Sequence, residues 1–250
     1  MSRAIEIIAA DWPVPQGIVA GTTTRVGGVS TGAYASLNLG AHVGDLPERV
    51  AENRRRFMAH CRLPAEPSWL TQVHGTEVVV NPDSGSRPCA DAILTTAADT
   101  VCVVMTADCL PVLLVSTDGA ELAAAHAGWR GLCDGVLECT VGSFSHFPGD
   151  ILAWLGPAIS QKNFEVGDEV RQAFLKHDEV ADACFVQNKR GRWQADLYGL
   201  ARQRLAAAGV HRIYGGQACT YDDAERFFSY RRDGECGRMA SFVFRKGETG

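Results

Sequence analysis

Apolar positions fall into short windows separated by turn residues, and the period of those windows changes along the chain. GIVAGTTTRVGGVS (17–30) reads as a strand running into a glycine-rich loop, and LNLGAHVGD (37–45) continues as loop. A helix is expected from near Asp45 to about His60, with Asp45 as its cap, Glu48 completing a capping box and Pro47 in the first turn. PSWLTQVHGTEVVVN predicts a strand pair broken near His74-Gly75. ADAILTT, TVCVVMTA and PVLLVST are short apolar strands, and Asp118-Gly119 turns the chain back into ELAAAHA. After Gly128, Trp129, Leu132, Cys133, Val136, Leu137, Val141 and Phe144 recur at three- and four-residue spacing, which predicts one amphipathic helix. ILAWLGP predicts a strand. VGDEVRQAFLKH and DLYGLARQRLAAAG predict helices, with Asp168 and Asp196 early in them and Gly209 as a C-cap. HRIYGGQ, RFFSYRR and RMASFVF predict closing strands, the last hairpin turning at Asp233-Gly234. Several adjacent hairpins among the helices argue for an α+β class over a doubly wound parallel sheet.

The 250 residues carry no internal repeat or linker-like tract, so one domain over 1–250 is expected. A net charge of −5 argues against a nucleic-acid binder, which needs a basic stripe. The one dense basic run, Arg54-Arg55-Arg56, reads as the solvated face of a helix. No stretch is apolar for about 18 residues, so no membrane span is expected. The first residues lack a leader-like apolar core, so no secretory signal is expected either. The nine scattered cysteines then read as reduced thiols in a cytoplasmic protein. The sequence leaves the oligomeric state open.

Dinucleotide and Walker A loops, the H-E-x-x-H and deaminase zinc motifs, and the G-x-S-x-G elbow are all missing from the sequence. The positive signal is the placing of His74, Cys109 and His126, each at the end of an expected strand beside a turn or a helix start. Two imidazoles and a thiolate suit zinc, and three ligands leave an open, catalytic position. The spacings fit no short metal motif, so on spacing alone a core thiol and hydrogen-bonded histidines stand as the plainer reading. Cys61, Cys89, Cys102, Cys133, Cys139, Cys184, Cys219 and Cys236 read as structural. His42, in a glycine-rich loop, is the best additional candidate; His60, His146, His177 and His211 read as surface residues.

Other stretches carry two readings each. Arg130, at a helix start, can supply donors to an anion such as phosphate. Arg25, before two glycines, belongs to an anion-binding loop or to a tight turn. Asn38 is a turn residue or a ligand contact. Phe-Phe-Ser-Tyr-Arg-Arg (227–232) is a half-buried strand or an aromatic platform with Ser229 and Arg231 facing a pocket.

T-R-V-G-G-V-S, S-L-N-L-G, T-Q-V-H-G, V-M-T-A-D-C-L-P-V-L, A-A-A-H-A-G-W-R-G-L, L-G-P-A-I and F-F-S-Y-R-R-D together resemble the YfiH family, in order and over essentially the whole chain. That family carries a multicopper polyphenol oxidase (laccase) label and includes purine nucleoside phosphorylases. The resemblance implies one α+β domain of layered mixed β-sheets flanked by helices, with a fold like that of a cysteine-dependent toxin deamidase. It implies a Zn2+ site at His74, Cys109 and His126. It implies phosphorolysis of adenosine, inosine and methylthioadenosine, with adenosine deaminase activity at the same site. The expected partners are therefore a small-molecule nucleoside and phosphate, with no nucleic acid and no membrane. Cys109 and His126 then serve as catalytic residues, with Asp108 a candidate acid or base; Cys109 with His126 as a nucleophile pair is the alternative chemistry. Peptidoglycan-precursor editing and copper-dependent polyphenol oxidation are the family's other described activities. A four-copper oxidase usually needs about ten histidines with His-x-His pairs. This chain has seven and no such pair, which leaves copper only an in-vitro occupancy of the trio.

Overall fold

In a computed structural model, residues 4–247 are described. The chain begins with β1 (Ile7–Ala9), β2 (Ile18–Thr23), α1 (Pro47–Cys61), β3 (Val78–Val80), β4 (Ala92–Thr95), β5 (Cys102–Thr106), β6 (Leu110–Ser116) and β7 (Leu122–Ala127). It continues through α2 (Trp129–Asp134), α3 (Val136–Gly142), β8 (Ile151–Leu155), β9 (Glu165–Val166), α4 (Asp168–Leu175), β10 (Phe185–Gln187) and β11 (Trp193–Ala195). It closes with α5 (Leu197–Ala207), β12 (Arg212–Gly215), α6 (Tyr230–Asp233) and β13 (Met239–Arg245).

A mixed six-stranded sheet runs β12-β8-β6-β7-β4-β3, and a four-stranded antiparallel sheet runs β1-β2-β13-β5. A small third sheet joins β10, β11 and β9. Every residue of β6 is buried, as its unbroken apolar run requires of a strand covered on both faces. The period-2 alternation divides that strand between two cores. Leu110, Val112 and Leu114 pack with Leu132, Val136 and Leu137 of the helices. Leu113 and Val115 face Cys102, Val104 and Val243 of the four-stranded sheet. The far face of that sheet, through Val103, Phe242 and Phe244, packs on Phe57 of α1. The layers therefore run helix, sheet, sheet, helix, the α+β architecture expected. No helix among the described residues is long and apolar enough to cross a membrane.

Four expectations of local structure change. Asp45 does not cap α1: Leu46 is the cap residue, and the Asp45 carboxylate instead accepts from Ser30 Oγ (2.6 Å) and Asn38 Nδ2 (2.9 Å). PSWLTQVHG forms no strand pair; only an isolated bridge joins Thr71 to Cys89, and the strand begins at Val78. The helix after Gly128 is two helices, because Gly135 adopts φ 104° between α2 and α3, a conformation open to glycine. RFFSYRR is a loop into α6, where the Ser229 hydroxyl accepts from the Arg232 amide, and Gly234 ends that helix instead of turning a hairpin.

Candidate metal centre

Strand pairing brings the trio to one end of the strands of the six-stranded sheet. Cys109 precedes β6, and His126 sits in β7 opposite Pro111 in that antiparallel ladder. β4 runs antiparallel to β7, so Asp91, just before β4, lies beside His126, whose backbone amide donates to the Asp91 carbonyl at 2.7 Å. β3 runs parallel to β4, so the loop that leads into it, carrying His74, reaches the same end of the sheet. His74 takes φ 62° and Asp108 φ 92°, left-handed conformations that non-glycine residues hold only under support from their surroundings.

One carboxylate supplies that support for His74. Asp91 is fully buried, and its oxygens accept the amides of Val73 (3.1 Å), His74 (2.9 Å) and Gly75 (2.7 Å) together with His126 Nδ1 (2.8 Å). Burial opposes its charge, but the His126 bond and the Gly75 and Val73 amides prevail and lower its pKa. With Nδ1 engaged by Asp91, Nε2 is the His126 nitrogen left to face Cys109 and bind an ion. This is the carboxylate–histidine pairing that orients metal-binding imidazoles.

The ligand atoms of His74, Cys109 and His126 all lie within 4.8 Å of one another. Cys109 Sγ is 3.8 Å from His74 Nε2. Tetrahedral zinc places nitrogen and sulfur ligands about 3.6 Å apart, so the set fits such an ion after a small adjustment. His74 is exposed, Cys109 half-buried and His126 buried. Burial pushes the Cys109 thiol up, but the His126 charge and hydrogen bonds from both imidazoles hold it at about 6. Burial acts against protonated His126, yet Cys109 and Asp91 raise it to about 9. Gly128 packs on the trio so closely that a Cβ there would stand 2.6 Å from His74 Cδ2 and 3.1 Å from Cys109 Sγ. A second convergence, Cys133, Asp134 and His177, lies at the ends of α2 and α4.

The trio opens into a cleft of about 390 Å³ that is also lined by His42, Gln72, Thr106, Tyr230 and Arg238. Burial, then the charges of Arg238, Arg54 and His126, lower the pKa of His42. Thr106 is buried, and its Oγ1 has no hydrogen-bond partner among the described residues. Tyr230 is 60% exposed.

The other sequence candidates lie elsewhere. The Asp108 carboxylate accepts from Thr220 Oγ1 (2.6 Å) and the Arg231 amide (2.6 Å). Asn38 is fully buried; its Oδ1 accepts the amides of Gly40 and Arg238. Ser229 caps α6. Arg231 donates to the Glu165 carbonyl. Arg25 donates to the Ala35 and Ala224 carbonyls and lines a separate cavity. Arg130 stacks on Trp129, its Cζ 4.4 Å from the ring centre. Asp91, Gln72, Tyr230 and Arg238 are the site residues the sequence reading passed over. Only Tyr230 carried a hint, from its place in the aromatic run.

Residues 19–246 match the family described as "Multi-copper polyphenol oxidoreductase laccase". An Escherichia coli K12 protein named "Purine nucleoside phosphorylase YfiH" is 55% identical over 242 residues, covering 96% of this chain and 98% of that relative. A Haemophilus influenzae protein named "Purine nucleoside phosphorylase" is 50% identical over 242 residues, covering 96% and 99%. The crystal structure of Neisseria meningitidis NMB0706 superposes with a TM-score of 0.92 at 46% identity, covering 96% of this chain and 99% of that one. The chain belongs to this laccase-labelled family, the YfiH family.

Proposed function

We propose that this chain is a zinc-dependent purine nucleoside phosphorylase working at the His74–Cys109–His126 cleft. It takes adenosine, inosine or methylthioadenosine with phosphate and yields the free base and the sugar 1-phosphate. In the same cleft it deaminates adenosine to inosine. The observation that carries the reading is an open three-donor cleft in a chain 55% identical to a protein named a purine nucleoside phosphorylase.

His74, Cys109 and His126 hold the ion, with Asp91 fixing two of them. Zinc bound there supplies Lewis acidity and a more acidic water beside it. Tyr230 offers an aromatic face at the cleft for the base. His42, with its lowered pKa, is a neutral imidazole near pH 7 and accepts or relays a proton. Asp108 works at one remove: it grips the first turn of α6 and so sets where Tyr230 stands. The two converging groups found among the described residues contain no all-histidine set, which argues against four-copper chemistry despite the family's label. Nine free thiols support a reducing, cytoplasmic setting.

The test is metal-analysed protein incubated with adenosine and phosphate. Ribose 1-phosphate with adenine, and inosine, are the expected products. Absence of both ribose 1-phosphate and inosine overturns the reading. Cys109→Ala is expected to lose metal and turnover together.

A further inference from the structure

The cleft at the trio does not end there. A second cavity of about 240 Å³ shares His42, Gln72 and Met105 with it and adds Arg54, Trp69 and Arg87. Neither lining contains a carboxylate, although the chain's net charge is −5. Two observations mark the second cavity as a place for an anion.

Arg54 is held in position. Its guanidinium lies 3.8 Å from the centre of the Trp69 ring, and Nε and Nη2 both donate to the Leu39 carbonyl. That leaves Nη1 unpaired among the described residues. This side chain is therefore not the solvated surface arginine its run of basic residues suggests. Arg87, exposed on the opposite loop, makes no hydrogen bond or ion pair among the described residues. Glu66 lines the neighbouring groove together with both arginines and its charge reaches Arg54, but among the described residues no ion pair joins it to either. Trp69 serves as the platform: it is 3% exposed, and its ring lies under the Arg54 guanidinium at the cavity wall. Two like charges lining one cavity with no carboxylate in its wall favour an occupant with negative charge.

We propose that Arg54, seated on the Trp69 ring, and Arg87 form an anion subsite that takes a phosphate dianion, either free phosphate or the phosphoryl group of a nucleoside monophosphate whose base and sugar reach the trio. Guanidinium forks match phosphate oxygens. Which of the two it serves rests on the nucleoside reading of the trio; the anion site itself does not.

The experiment measures equilibrium binding of inorganic phosphate, adenosine and AMP to zinc-loaded full-length chain, and repeats it on Arg87→Ala and Arg54→Gln. Arg87 makes no internal bonds, so its variant keeps the fold even if Arg54→Gln does not. Phosphate affinity is expected to fall about tenfold in Arg87→Ala, the size of a lost charge-assisted hydrogen bond. Metal content and adenosine affinity are expected to hold. AMP binding tighter than adenosine, with that advantage lost in Arg87→Ala, assigns the phosphoryl group to the substrate. AMP no tighter than adenosine, with only phosphate responding, assigns it to free phosphate. Unchanged phosphate and AMP affinities in Arg87→Ala overturn the subsite. Arg87-dependent phosphate binding without sugar 1-phosphate formation would sink phosphorolysis and leave the subsite standing. Turnover with Arg87-independent phosphate affinity does the reverse.

Discussion

His126 Nδ1 lies 2.8 Å from Asp91 Oδ1, on a buried carboxylate that also gathers the amides of Val73, His74 and Gly75. One side chain therefore fixes two of the three donors, one through its ring and one through its backbone. In Asp91→Asn, one oxygen becomes a donor facing donors, so at least one of these bonds is lost. Metal affinity is expected to fall by about 10–100-fold, read by competition with a chelator of known affinity. Asp91→Ala leaves buried donors unpaired and is expected to cost on the order of 3–5 kcal/mol in denaturant unfolding. An Asn variant that holds metal as tightly as the parent would refute the orienting role.

Gly128 supplies a contact where Asp91 supplies bonds. Its backbone, φ −62° and ψ 156°, suits any residue, so Gly128→Ala tests space alone. The new methyl would meet His74 Cδ2 at 2.6 Å and Cys109 Sγ at 3.1 Å, and the exposed His74 ring is the group that gives. The melting temperature is expected to stay close to the parent's while metal affinity drops. A displacement of about 1 Å at a catalytic group costs about 100-fold, which sets the loss expected in kcat/KM. Unchanged kinetics would show that the ring adjusts freely.

The sequence discloses local elements better than meetings between them. β6, its Asp118-Gly119 turn and β7 are legible because an apolar run, a turn pair and a second apolar run are all local signals. Asp91 is not legible, since it meets His126 across 35 positions and only the β4–β7 register joins them. Arg54 sits in a basic run that reads as solvent-facing, yet Trp69 lies under its guanidinium. Aromatic alternation in RFFSYRR mimics a strand, but Ser229 caps a turn of helix and Asp108, 123 positions away, secures it. The trio itself became legible through the family likeness, because its spacing carries no metal motif.

Asp108 separates a positioning role from an acid–base role. Asp108→Ala frees the first turn of α6 and is expected to raise the nucleoside KM about tenfold, the size of a lost charged hydrogen bond, with metal retained. Asp108→Asn is expected to restore the KM. Its oxygen still accepts the Arg231 amide, and its NH2 donates to Thr220 once that hydroxyl turns. An amide cannot exchange a proton as a carboxyl does. Loss of kcat in Asp108→Asn, with a changed pH profile and an unmoved KM, would instead make Asp108 the acid or base.

Cys109 should stand apart from the other thiols in metal-stripped protein. Burial pushes Cys61 up to about 12 and Cys184 to about 11, whereas the two imidazoles hold Cys109 at about 6. The sign follows from the thiolate being the nucleophile. A thiol with a lowered pKa is thiolate above that value, so at pH 7 Cys109 is mostly reactive, and its reactivity falls only as pH drops through about 6. Iodoacetamide at pH 7, followed by peptide mass mapping, is expected to label Cys109 first after chelation. Zinc is expected to protect it, because a ligated sulfur has its lone pairs engaged. Asp91→Asn should weaken that protection at a given zinc concentration, linking this reading to the carboxylate behind His126. First labelling at exposed Cys89 or Cys139, indifferent to zinc, would mean that the trio neither activates this sulfur nor binds the ion through it.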